Sequence, residues 1–214
     1  MNKVFLFILI LLPFLGHSQV VSDAKLWTEI SIAKQVDDFE FSFSEAVRFD
    51  ENMFHIDKVF SEFGAAYKIV KNVYAGVNYR YSKDNDYTSK NYNIRHRFDL
   101  ALTLKHKYEN FRFSFRTKYQ VKNAIAEENS PTFSRNKFAI KYKLENDFTP
   151  YISYEFYYQF NEQKVINRTR ISLGSSYKID KQSALKFFYL FENRFNVKTL
   201  KYNHIYGISY SFKL

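Results

Sequence analysis

The chain has no cysteine, only five glycines and three prolines in 214 residues. Without cysteine, no disulfide framework can hold a small exported domain together. Scarce glycine and proline exclude a collagen-like or low-complexity chain. No apolar run reaches the roughly 20 residues that a helix needs to cross a bilayer. The longest, Val4 to Leu15, is about 12 residues and falls well short of that span. No segment between the patterned stretches carries helical periodicity. Whatever holds this chain together is neither covalent nor helical.

Aromatic residues are abundant instead. There are 24 Phe and 18 Tyr, and aromatics make up 20% of the chain. Mean hydropathy is nevertheless −0.42. Apolar and polar residues are therefore interleaved rather than segregated. The first residues, MNKVFLFILILLPFLGHSQ, place Lys3 before the apolar run, then Gly16 and Ser18 at −3 and −1 of a cleavage site. This is the layout of a secretory signal peptide, residues 1–18, with a mature single domain over 19–214. The formal charge of +10 becomes +9 when Lys3 leaves. A sequence pI near 9.5 fits nucleic acid. An export signal and the lack of a nucleic-acid motif argue against it, and leave anionic lipid headgroups or the chain's own carboxylates as partners.

Period-2 alternation dominates the mature chain. Phe39, Phe41, Phe43, Val47 and Phe49 alternate with Glu40, Ser42, Ser44, Ala46 and Arg48, with Glu45 the exception on the apolar side. Phe111, Phe113, Phe115, Tyr119 and Val121 alternate with Arg112, Ser114, Arg116, Lys118 and Gln120. The pattern predicts strands over about 26–36, 39–49, 56–70, 73–82, 94–107, 111–122, 135–145, 150–160, 164–179, 184–195 and 201–214. Short polar turns such as Asp37-Asp38 and Lys71-Asn72 take turns with longer connections such as 83–93 and 123–134. One end of the sheet is thus tight and the other looped. Several strands exceed the five or six residues usual in a globular sheet and suit tilted passage through a bilayer. In lipid, strands survive only in a closed barrel, which alternates apolar-out with polar-in between aromatic girdles. The expectation is an all-β, antiparallel transmembrane β-barrel in the outer membrane of a Gram-negative bacterium. Bacterial single-chain barrels have even strand counts, so twelve strands are favoured, ten being possible, with Val20 to Lys25 as a poorly patterned extra strand. A soluble periplasmic β-sandwich is the alternative fold.

The early Trp27 in LWTEI, the strand FSFSEAVRF with Arg48, and the Tyr-rich hairpins that follow resemble the outer-membrane barrel proteins grouped as "domain of unknown function 2490". The resemblance covers the mature chain. It implies an outer-membrane barrel and no assigned activity. The terminal alternation of Tyr206, Ile208, Tyr210, Phe212 and Leu214 resembles the signal read by the barrel-assembly machinery, although that signal usually ends in Phe. It implies lipid, lipopolysaccharide and that machinery as partners. A barrel-type lipid A deacylase carries His-x-Ser on one strand. Here His204 is followed by Ile205 and Tyr206, so that pattern is missing. His96, His106 and His204 share the apolar face and are expected outside, at headgroup level; His55 falls in a polar connection. No catalytic, cofactor or metal constellation emerges.

The polar face carries the functional signal. It places Arg48, Arg80, Arg95, Arg97, Arg112, Arg116, Lys118, Lys137, Lys141, Arg168 and Arg170 in the lumen, with Lys58, Lys68 and Lys105. Glu29, Glu40, Glu62, Asp99 and Glu155 stand against them. Two readings remain open. Ion pairs can fill the lumen, or a basic channel or cavity can favour anionic solutes. A lipid-modifying hydrolase with a site invisible to motif reading is the alternative from another class.

Overall fold

A computed structural model describes residues 21–87, 91–122, 131–161, 164–196 and 200–214. The expected signal peptide lies outside the described residues. The chain runs as β1 (Val21–Val36), β2 (Phe39–Asp50), β3 (His55–Val70), β4 (Val73–Asp86), β5 (Asn91–Tyr108) and β6 (Phe111–Lys122). It continues as β7 (Thr132–Tyr142), β8 (Phe148–Gln159), β9 (Ile166–Lys178), β10 (Ser183–Arg194) and β11 (Lys201–Lys213). Each strand hydrogen-bonds to its sequence neighbours, and β1 pairs with β11 to close a barrel. A single closed sheet replaces the two-sheet sandwich.

The described residues form eleven strands, not the twelve favoured on parity. Val21–Lys25 is the opening of β1 rather than a strand of its own. An odd up-and-down count makes the first and last strands run the same way. The closing pair is therefore parallel, from Val21↔Lys201 to Ala33↔Lys213, while every other pair is antiparallel. Parallel pairing is slightly weaker per residue, and this seam offsets that with thirteen consecutive partners. Trp27 lies opposite Gly207 there. The lumen-facing ring of Phe188 covers Gly207, and a Cβ at that position would overlap it.

Alternation now has two physical faces. Ile30, Phe63, Val77, Leu100, Phe138 and Leu173 project outward and are exposed, Leu100 at 59%. At the tight end, outward aromatic pairs cross three hairpins: Phe39–Tyr67 at 4.8 Å, Phe111–Tyr142 at 4.9 Å and Phe148–Tyr177 at 4.8 Å between ring centroids. Such pairs add about 0.5–1.5 kcal/mol beyond burial. Nearer the looped end a second girdle holds Tyr79, Tyr81 and His96, and Tyr189, Phe191 and His204. Leu214 ends the chain at the tight end, its N–H donating to the Ala33 carbonyl at 2.8 Å.

The tight turns use residues that suit them. Asp37 and Asn72 adopt positive φ, a region that Asp and Asn tolerate better than most. Asp180 closes the β9–β10 turn by accepting hydrogen bonds from the Ser183 hydroxyl and from the backbone N–H groups of Gln182 and Ser183. These bonds hold its carboxyl below the ordinary value of 3.8, the Ser183 hydroxyl contributing most.

Two predictions follow from the faces and this turn. Leu100→Arg places a cation on the outward apolar belt and should cost about 2–4 kcal/mol in urea unfolding from vesicles. Arg112→Ser, on the opposite face, should change stability by less than about 0.5 kcal/mol; equal effects would reverse the face assignment. Because folding lowers the Asp180 pKa, its contribution is present above about pH 4 and lost as pH falls through the folded value. Asp180→Ala should therefore lower the thermal midpoint at pH 7 and leave it unchanged near pH 2.

Candidate functional site

The inward side chains are fixed by strand register. On β3 to β5, Glu62 lies opposite Arg80, and Arg80 opposite Arg97. Arg80 donates to Glu62 at 2.7 Å and Arg97 at 2.6 Å. Arg97 also reaches Asp99 at 3.0 Å, and Lys118 on β6 reaches the same carboxylate at 3.3 Å. Across the lumen, Glu155 on β8 meets Arg135 at 2.9 Å, Arg170 at 3.6 Å and Arg116 at 3.8 Å. Glu192 on β10 meets Arg170 at 2.6 Å, Arg194 at 2.8 Å and Arg168 at 3.8 Å. Four carboxylates thus serve eight cations. Asn203 donates to Glu192 at 2.8 Å, and Gln120 accepts from Arg135 at 3.0 Å.

Aromatic rings carry part of the remaining positive charge. Arg48 lies over Trp27 at 3.9 Å and near Phe60 at 4.9 Å, while Arg80 covers Phe60 at 3.4 Å. The Tyr157 ring has the guanidinium groups of Arg135, Arg168 and Arg170 within 5.0 Å. Its hydroxyl donates to Glu155 at 3.3 Å and accepts from Arg170. Desolvated cation–π contacts contribute about 2 kcal/mol each.

The lumen is therefore neither empty nor neutral. Asp99, Gln120, Glu192 and Phe60 are buried within it. A polar cavity of about 540 Å³ remains, lined by fourteen Lys and Arg against five Asp and Glu. Among the described residues, Arg48, Lys122, Lys137 and Lys186 line it with no carboxylate within ion-pair distance. Unbalanced charge in a narrow, partly desolvated space attracts counterions strongly. The arrangement can hold anions; its positive groups are fixed in place by neighbours that point them inward.

Of the cations that alternation assigned to the lumen face, Arg48, Lys58, Arg80, Arg95, Arg97, Arg116, Lys137, Arg168 and Arg170 line the cavity. They do not form one cluster. Arg80, Arg97, Arg116, Lys118, Arg168 and Arg170 join the buried network. Arg48 and Lys137 line the cavity without an ion pair. Arg95 stands at the looped mouth, 3.7 Å from Asp84. Arg112 and Lys141 are exposed at the tight rim. Sequence reading missed Arg135, Glu192, Lys122, Lys186, Arg194, Trp27, Phe60 and Tyr157. Arg135 and Lys122 continue the parity of Lys137 and Lys118, so a longer count along each strand finds them. Glu192 and Lys186 lie on β10, where Phe187-Phe188-Tyr189-Leu190-Phe191 is apolar on both faces and conceals the period.

The histidines fall elsewhere. His96 and His204 face outward, with Nδ1 2.8 Å from the Tyr79 hydroxyl and 2.7 Å from the Tyr189 hydroxyl respectively. His106 packs near Phe113, and His55 lies 3.7 Å from Asp50 at the looped end. Tyr206, Ile208, Tyr210 and Phe212 occupy outward positions of β11.

A family model described as "Protein of unknown function (DUF2490)" matches residues 24–203. No curated protein matches the chain. Among solved structures, an anion-selective porin from Comamonas acidovorans aligns at 13% identity and TM-score 0.42, over 81% of this chain and 52% of the porin. Outer-membrane expressed OmpT of Vibrio cholerae aligns at 10% identity and TM-score 0.41, over 82% of this chain and 60% of OmpT. The β domain of the Bordetella autotransporter BrkA aligns at 9% identity and TM-score 0.45, over 79% and 82%. The chain spans about half the length of the porin.

Removing one shared carboxylate should expose the stake of the network. Glu155→Gln leaves Arg116, Arg135 and Arg170 short of an anion and should cost about 3–5 kcal/mol of unfolding free energy. Lys68→Ala, at an exposed pair with Asp38, should cost less than about 1 kcal/mol. Similar losses for both would show that the interior charges behave as surface charges.

Proposed function

The chain belongs to the DUF2490 family, and we propose that this member is an outer-membrane barrel whose basic lumen selects and holds small anions. The outward apolar belt between two aromatic girdles supports residence in a bilayer. An export signal at residues 1–18, lipopolysaccharide around the belt, and delivery by the barrel-assembly machinery through Tyr206, Ile208, Tyr210, Phe212 and Leu214 complete this reading. The observation that carries it is the cation surplus around the cavity, above all the four cations that have no carboxylate within ion-pair distance among the described residues. Buried side chains fill much of the lumen and leave a cavity of about 540 Å³, which supports a binding constriction rather than a wide aqueous channel. Selectivity then comes from the sign and density of the fixed charge.

Planar bilayers containing the folded barrel test this directly. Under a potassium chloride gradient, small current steps should reverse at a potential that favours chloride over potassium. Replacing Lys137 and Lys186 together by Glu should move that reversal toward potassium. Cation preference in the unaltered protein, or no current from protein shown to be folded by its heat-modifiable gel shift, overturns the reading.

A further inference from the structure

We propose that the Tyr79–His96 and Tyr189–His204 pairs are two lipid-headgroup sites on the outer wall of the barrel, each offering an imidazole Nε2 donor to an anionic headgroup oxygen. This rests on the bilayer residence in the reading above, and not on what the lumen conducts. Tyr79 and His96 lie on β4 and β5, and Tyr189 and His204 on β10 and β11. His96 is the sixth residue of β5 and His204 the fourth of β11, so both sit close to the looped end. Each tyrosine stands directly opposite another aromatic, Phe98 or Tyr206, and its histidine is the diagonal neighbour.

The two pairs repeat one geometry. The tyrosine hydroxyl lies 2.8 Å from His96 Nδ1 in one and 2.7 Å from His204 Nδ1 in the other. Ring centroids are 6.0 and 6.1 Å apart, with interplanar angles of 27° and 29°. A phenol hydroxyl is the better donor and a neutral imidazole nitrogen the better acceptor. The hydroxyl therefore donates to Nδ1, and the ring proton stays on Nε2. Among the described residues Nε2 has no hydrogen-bond partner in either pair, and in neither is it sealed from the surface. A second aromatic ring steadies each imidazole, Tyr81 at 5.7 Å from His96 and Phe191 at 5.4 Å from His204. Both imidazoles are half-buried, held at one edge and open at the other.

Their placement decides the ligand. The β4–β5 and β10–β11 hairpins lie on opposite walls of the eleven-stranded ring. No single small solute reaches both outward faces. A second copy of the barrel would cover one wall and leave the other bare. The surrounding lipid meets both walls at the same level. Girdle aromatics sit at headgroup depth, where a fixed N–H finds headgroup oxyanions as acceptors. Such a charge-assisted hydrogen bond is roughly twice as strong as a neutral one. A girdle tyrosine ordinarily turns its hydroxyl to the interface. Here Tyr79 and Tyr189 direct theirs at a neighbouring ring, which makes the histidine the outermost donor.

Native mass spectrometry of the barrel, carried from phosphatidylglycerol vesicles into neutral detergent, tests this. The unaltered protein should retain two phosphatidylglycerol molecules, one for each pair. A diacylglycerol with the same chains, which lacks the anionic group, should be retained about tenfold less. His96→Phe and His204→Phe keep a ring in the girdle and should each remove one bound lipid; the double variant should remove both. Tyr79→Phe leaves the imidazole but frees it, and should weaken the His96 site by about tenfold. His106→Phe, at an outward histidine that packs on Phe113 instead of a tyrosine, should change nothing. The heat-modifiable gel shift confirms that each variant is folded. Equal retention of diacylglycerol, retention unaltered in His96→Phe or Tyr79→Phe, or the same loss in His106→Phe overturns the sites. So do dimers that the histidine variants dissociate, because those walls would then be protein interfaces. An inserted barrel that retains no lipid sinks the sites alone. A barrel that never enters the vesicles sinks bilayer residence and the sites with it. Retained lipid in a barrel that passes no anion current sinks the transport reading alone.

Discussion

Every strand between Val21 and Lys213 is hydrogen-bonded to a neighbour on each side, so the described sheet has no unpaired edge strand. A hydrocarbon environment imposes that condition, because an unpaired peptide group there costs several kcal/mol. Local propensity alone does not satisfy it. The first strand must find the last, and with eleven strands it must do so in parallel. Trp27 and Gly207 face each other at this junction, and the Phe188 ring occupies the space that a side chain at Gly207 would take. The seam is thus packed from inside the barrel as well as bonded along it.

Closure separates the side chains into two solvents. A shift of one residue in any pair would turn a whole strand over, placing Arg80 or Glu155 in the belt and Leu100 or Phe138 in the lumen. Register is therefore held by burial on both faces at once. The aromatic pairs at the tight end hold it outside, and the shared carboxylates hold it inside. Glu45 breaks the pattern, an outward carboxylate that accepts a hydrogen bond from Ser61 at 2.6 Å.

Much of this is legible in the sequence because period-2 alternation is a local property. Most strand limits from β2 to β11 agree with the structure to within about three residues, the typical error of boundary reading, and the inward parity of Arg48, Arg80, Arg97, Arg116 and Arg170 is a matter of counting. What counting does not reveal is partnership. Nothing local to Glu192 tells that it serves Arg168, Arg170 and Arg194, because two of those lie on the neighbouring strand. Tyr157 reads as one more girdle aromatic, yet it lies inward and supports three guanidinium groups. Parity reasoning favoured an even strand count, but the residues that extend β1 to Val21 carry too weak an alternation to decide between a new strand and a longer one.

The stoichiometry of the interior is the strongest pointer to its purpose. Filling a narrow barrel requires side chains of the right volume, and apolar residues would do this at no greater cost than buried ion pairs. A balanced network would fill it as well. Here each of Glu155 and Glu192 is shared among three arginines, and Arg48 lies on aromatic faces instead of beside a carboxylate. Stability alone favours more acids or fewer bases than this. Retaining positive charge that the protein does not neutralise is sensible only if something else supplies the anion. The neighbours that orient these cations hold Arg48, Lys137 and Lys186 on the cavity wall. Such a surplus is not spread as a featureless potential. It consists of discrete donors, and discrete donors select by shape as well as by sign.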